Sequence, residues 1–320
     1  MNDFQQKIYN NLLLSIVFNL KDFKRKSGQE GTVYFIDDNF VVKEIFGEQI
    51  GFFTYDNFEN YCKELIEFNK QGAPIPKIYS WTMLPKNMFE PQGGLNFDRY
   101  YILEERVKGK ELFASYLLGT FEDCKDFCSK EEFNSAILTK EGTLYKKIVE
   151  NYLKYFLKTN QQLESLPINV IENFILSDYL MMKNQKFGAN DMHNSNVMFD
   201  GSKLTMIDNS FVENFFASFS DEKLRTIVMQ DMLRILSENE KGLFCGAIHQ
   251  KKWASINPLY LEHKKILSAV VQKFIKTTNA VLQPVFQDDI EYINSKSFIK
   301  SIAASEKEEK SFIELLEKKF

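Results

Sequence analysis

The sequence predicts an α+β fold in two lobes, a small β-rich lobe over residues 1–104 and a larger helical lobe over 105–320. Three observations lead there. At 320 residues the chain exceeds a typical single core. Its first hundred residues carry the two-residue period of strands around one helical stretch. Beyond Gly109 the period becomes that of amphipathic helices.

The elements follow in order. The apolar run Leu12–Leu20 reads as a core-facing N-terminal helix, too short for the roughly 20 apolar residues that span a bilayer. Thr32–Ile36 and Phe40–Phe46 are β-rich runs around Asp37-Asp38-Asn39, a hairpin signal. Residues 57–70 place Phe58, Tyr61, Cys62, Leu65, Ile66 and Phe68 at helical spacing, and Gly72-Ala73-Pro74-Ile75-Pro76 ends that helix. A loop with Pro85, Pro91 and Gly93-Gly94 precedes a strand at Tyr100–Leu103. Helices are expected over 144–164 and 170–183, short strands over 196–199 and 204–208, and helix again over 221–320.

Composition narrows the function classes. A hydrophobic share of 44% supports a packed interior, and a net charge of −4 speaks against a nucleic-acid partner. The one basic cluster, Lys24-Arg25-Lys26, reads as a solvated loop. Cys62, Cys124, Cys128 and Cys245 form no CxxC pair, which fits reduced thiols in a cytoplasmic protein. Export into a host cell as an effector stays open, and no membrane span is expected.

Four segments carry chemistry. In Ser27-Gly28-Gln29-Glu30-Gly31-Thr32-Val33, the glycines Gly28 and Gly31 would let backbone amides approach phosphate oxygens. In the second, strand alternation puts Val41, Lys43 and Ile45 on one face, where a lysine needs a partner. Nucleotide phosphates would be one. A helix glutamate would be the other, with Glu64 preferred to Glu59 beside the apolar stripe and Glu67 pointing away.

The third segment is Asn190-Asp191-Met192-His193-Asn194-Ser195-Asn196. An Asp five residues before an Asn at a strand start suits a phosphotransferase: Asp191 accepts the proton of the attacking hydroxyl, and Asn196 ligates Mg²⁺. The fourth is Leu204–Asp208, a strand ending in a carboxylate. Pairing across the turn at Asp200-Gly201-Ser202 sets Asp208 at the same end as Asn196, two oxygen ligands for a hard cation.

With these motifs in this order, residues from about 25 to 235 resemble the protein-kinase-like superfamily. Ile102-Leu103-Glu104-Glu105-Arg106-Val107-Lys108-Gly109 looks like the hinge of its aminoglycoside and choline phosphotransferase branch. Asp191-x-His193-x-x-Asn196 is that branch's loop, and it is also similar to the loop of phosphoinositide 3-kinases. The resemblance implies adenine held by main chain around Glu105 and Val107, roofed by Val33 and Val41 and floored by Met198. It gives His193 a loop-ordering role, or a part in proton transfer as in lipid kinases.

ATP and Mg²⁺ are the implied cofactors. The implied activity is transfer of the γ-phosphate to a protein serine or threonine hydroxyl, by an enzyme of compact bacterial type. A small-molecule acceptor (aminoglycoside, choline or sugar) is the alternative, and an inactive scaffold or a lipid kinase stands behind it. Lys26 occupies the first glycine position of the loop, and Asn190, not arginine, stands directly before Asp191. Asn209-Ser210 follow Asp208 where Phe-Gly is usual, so a Phe-flipping switch is not expected.

Overall fold

The computed structural model describes residues 3–27, 31–46, 54–85, 98–112, 124–139, 141–186, 189–190, 196–210, 214, 216–247 and 258–282. It is mixed α+β, mostly helical with antiparallel sheets, an arrangement compatible with two lobes.

The N-terminal part is built on five strands: β1 (Lys24–Ser27), β2 (Gly31–Phe35), β3 (Phe40–Phe46), β4 (Ile78–Leu84) and β5 (Arg99–Glu105). They lie side by side in the order β1-β2-β3-β5-β4, each pair antiparallel. The expected hairpin is present. The Asp37 carboxylate accepts the amides of Asn39 and Phe40, which closes the turn.

Period two divides the sheet into two faces. On one, Tyr34, Val42, Leu84, Tyr101 and Leu103 pack under Leu13, Ile16 and Val17 of α1 (Asp3–Val17), the expected N-terminal helix. On the other, Ile45, Tyr100 and Ile102 pack under Phe58, Tyr61, Cys62 and Leu65 of α2 (Tyr55–Lys70). The Thr54 hydroxyl caps α2 by accepting from the Asn57 amide at 3.2 Å. Gly72, at φ +93°, ends it in the left-handed region.

The C-terminal part holds α3 (Lys130–Thr139), α4 (Gly142–Ser165), α5 (Ile168–Asn184), α6 (Asp221–Ala247) and α7 (Pro258–Leu282). Tyr145, Ile148, Tyr152, Phe156 and Leu163 form the buried stripe of α4, which packs along α7. Between these helices run β6 (Lys110–Glu111), β7 (Ala189–Asn190), β8 (Val197–Phe199), β9 (Leu204–Met206) and β10 (Asn209–Ser210). They make a three-stranded sheet, β6-β8-β9, and a two-stranded pair, β7-β10. No helix among the described residues is long and apolar enough to cross a membrane.

Three sequence expectations need correction. Lys24-Arg25-Lys26 is no loop but the exposed edge strand β1, and charged residues there guard an open sheet edge. Strand β4 lies between the expected turn at Gly72–Pro76 and the expected loop around Pro85, where no element was expected. The nearby prolines Pro74, Pro76 and Pro85 masked its signal, and its register shifts between Ile78 and Ser80. The strand expected over 204–208 stops at Met206, so Asp208 stands just beyond its end.

Candidate functional site

Lys43 sits in the middle of β3, with Val33 and Ile102 as its cross-strand neighbours. Its side chain is 15% exposed, and a lysine so placed is costly without a counter-charge. Its ammonium forms an ion pair with the carboxylate of Asp208, whose side chain is 41% exposed.

Asp208 reaches this point through two ladders. In the hairpin β8–β9, Val197 pairs with Met206, and the Ile207 amide donates to the Asn196 carbonyl at 2.9 Å. Asn196 is buried on the same rung as Ile207, so the expected proximity of Asn196 and Asp208 is present in the main chain. The hairpin turn is fixed by Asp200, which accepts from the amides of Ser202 and Lys203. Burial works against that carboxyl, yet these hydrogen bonds hold it below the usual carboxylate range. In the second ladder, Asn209 pairs with Asn190, the residue before Asp191. Asp191, His193 and Gly28 themselves lie outside the described residues.

The other expected residues distribute as follows. Glu64 accepts the Lys186 amide on both carboxylate oxygens, at 3.1 and 3.2 Å, and so ties α2 to the chain after α5. Glu59 pairs with Lys63 on its own helix. Val41 is buried, while Val33, Val107 and Met198 are half-buried and Glu105 is exposed. The Glu105 amide donates to the Lys77 carbonyl and the Arg106 amide to the Asn39 carbonyl, both at 2.8 Å. Met198 belongs to the separate β6-β8-β9 sheet.

Gly31 has a plain structural reason to be glycine. A β-carbon there would collide with the Glu44 carbonyl of the neighbouring strand. Among the described residues no group of three His, Cys, Asp or Glu side chains could hold a metal ion. The oxygen donors here are Asn196 and Asp208. A cavity of about 460 Å³ lies elsewhere, among Asn69, Pro74, Asn173 and Lys203, and contains none of the expected site residues.

One residue escaped the sequence reading. Glu104 stands opposite Val41 on β5, on the face that carries Lys43, and is half-buried. Burial pushes its carboxyl up to about 7; Lys43 works against that rise and Asp208 adds to it. It was legible only as part of a hinge, because strand register, not motif, brings it to Lys43. The expected elements thus bring together Val41, Lys43, Asn196 and Asp208, and the structure adds Glu104. No protein-family model and no curated protein matches the sequence.

Proposed function

We propose that the chain is an ATP-dependent phosphotransferase of the protein-kinase-like type, acting on a serine or threonine hydroxyl of a protein. The observation that carries this reading is the meeting of Lys43 with Asp208 beside Asn196. It supports the reading because the ion pair joins the expected phosphate clamp, Lys43, to one expected metal ligand, and the main chain of the hairpin keeps the other, Asn196, close by.

The donor set fits a hard cation. The side-chain oxygens of Asn196 and Asp208 are the ligand types that Mg²⁺ takes, together with nucleotide phosphates. Mg²⁺ bound there with ATP would neutralise charge on the transferring phosphoryl group. Lys43 would bind the phosphates as a point charge, and the main chain of Glu105 and Val107 would orient the adenine under Val33 and Val41. Asp191 would take the proton of the acceptor hydroxyl as its oxygen attacks the γ-phosphorus. The bond from that phosphorus to the bridging oxygen breaks, and ADP leaves.

A small-molecule acceptor is the second reading, favoured by the short connection from Ser210 to Asp221, which leaves little room for a peptide-binding segment. Asp221, one of the acids that could attract a cationic acceptor, is engaged by Lys183 and Tyr179. Incubation of the purified chain with γ-phosphate-labelled ATP tests both. Label on the chain itself or on generic protein substrates supports the first reading, and label on an aminoglycoside, choline or sugar supports the second. No labelled product in any arm overturns both.

A further inference from the structure

Glu104 is placed to act on Lys43. Strand β5 lies between β3 and β4, and the register sets Glu104 opposite Val41 and Ile102 opposite Lys43. Lys43 and Glu104 therefore share a face and are diagonal neighbours on adjoining strands. Diagonal backbone positions stand about 7–8 Å apart, within reach of long side chains, and opposite charges there attract.

The surroundings agree with the register. The Glu104 carboxyl interacts with the charges of Lys43 and Asp208, one favouring its ionised form and one opposing it. Across the sheet face, the Cys62 thiol of α2 is pushed well up by burial, then by Glu104 and Glu59. One ammonium thus lies within range of two carboxylates that differ in freedom. Asp208 sits past a strand end and is substantially exposed, whereas Glu104 is carried inside a sheet, paired on both sides.

This difference acquires a purpose on the phosphotransferase reading, on which the inference rests. There Asp208 would turn one or both oxygens to a divalent cation and loosen its hold on Lys43. The geometry points to Glu104 as the carboxylate that then keeps the Lys43 ammonium in place. It would be a positioning residue for the phosphate-binding lysine, standing on the sheet rather than on α2. A lysine held this way keeps its direction without any movement of α2, whose Glu64 is engaged with the Lys186 amide.

The test is MgADP affinity of the full chain by titration calorimetry, for the wild type, Lys43→Met, Glu104→Gln, Glu104→Asp, Glu64→Gln and the double variants with Lys43→Met. Lys43→Met should weaken binding by about 10–100-fold, the loss of a charge-assisted contact. Glu104→Gln should weaken it by about 2–5-fold when Lys43 is present and not at all in the Lys43→Met background, with Glu104→Asp restoring most of the loss. Equal weakening in both backgrounds would mark Glu104 as merely structural and overturn the inference. So would no weakening in either, or a Lys43-dependent loss from Glu64→Gln in place of Glu104→Gln. If Lys43→Met leaves MgADP affinity unchanged, the phosphotransferase reading itself falls. Should Glu104→Gln fail to fold, a crystal structure of the wild type with MgADP decides. Lys43 Nζ within about 4 Å of the Glu104 carboxylate supports the inference, and Nζ on Glu64 overturns it.

Discussion

Lys43 and Asp208 stand 165 residues apart in the chain and meet as an ion pair between the five-stranded sheet and the strand hairpin that follows the Asp191–Asn196 segment. Solvent screens the pair from the side of Asp208, which is 41% exposed, and Glu104 stays near Lys43 when Asp208 is replaced, so the pair's own contribution to stability is small, about 0–1 kcal/mol. Its value lies in what it locates.

Asp208→Asn should therefore change the melting temperature little in the absence of ligand. With Mg²⁺ and saturating ATP the wild type should gain stability, about 2.7 kcal/mol at a hundred times the dissociation constant, and the variant should lose the Mg²⁺-dependent part of that gain. Thermal melts with and without Mg²⁺ check this. An unchanged Mg²⁺-dependent shift would remove Asp208 from the site.

Asp191→Ala should lower turnover by about 10²–10⁴ while leaving ATP affinity nearly intact, as expected for loss of a general base. That corresponds to about 3–5 kcal/mol of transition-state stabilisation. His193→Ala, if His193 orders the loop, should lower activity modestly and the melting temperature with it. Steady-state kinetics and ATP titration of both variants separate the roles. The reverse pattern would make His193 the proton acceptor.

Glu104 makes stability depend on pH in a defined direction. Its carboxyl is pushed up from 4.5 to about 7 in the folded chain. Between those values the folded state keeps a proton that the unfolded state has released, so this group's contribution to stability falls as pH rises through that window. Glu104→Gln removes the dependence. Its melting temperature relative to wild type should be higher at pH 8 than at pH 5, measured without divalent cations. A difference independent of pH would contradict the burial of the Glu104 carboxyl.

Gly31→Ala should destabilise the chain by about 1–3 kcal/mol even without nucleotide, because the added methyl meets a backbone carbonyl that cannot rotate aside. Chemical denaturation of the ligand-free variant measures this. A variant as stable as wild type would return Gly31 to a purely ligand-binding explanation.

Much of the scaffold was legible in the sequence because its signals are local. The hairpin around Asp37, the apolar spacing of α2 and the turn at Asp200 each depend on a few adjacent residues. Asn196 and Asp208 were legible for the same reason, since one short hairpin relates them. Strand β4 was hidden by flanking prolines and the β7–β10 pair by its length of two residues each. Glu104 was hidden differently. Its chemistry comes from burial in the sheet and then from Lys43 and Asp208, and no local pattern records which strands lie side by side. The partner expected for Lys43 was a helix residue, Glu64, whose carboxylate accepts the Lys186 amide.

Lys43 and Glu44 are consecutive and emerge on opposite sides of β3. Glu44, 2% exposed, is gripped from behind by the hydroxyls of Tyr34 and Tyr101 and by the Arg99 guanidinium. The peptide unit joining the two residues is thus riveted on the α1 side of the sheet, and the lysine on the α2 side takes its aim from that rivet. Damage to the layer under α1 would consequently surface as an aiming error. A cavity opened at Leu13, which packs with Val42 on the face of the sheet away from Lys43, would let β3 settle and swing the ammonium off its mark, with every group of the site chemically intact.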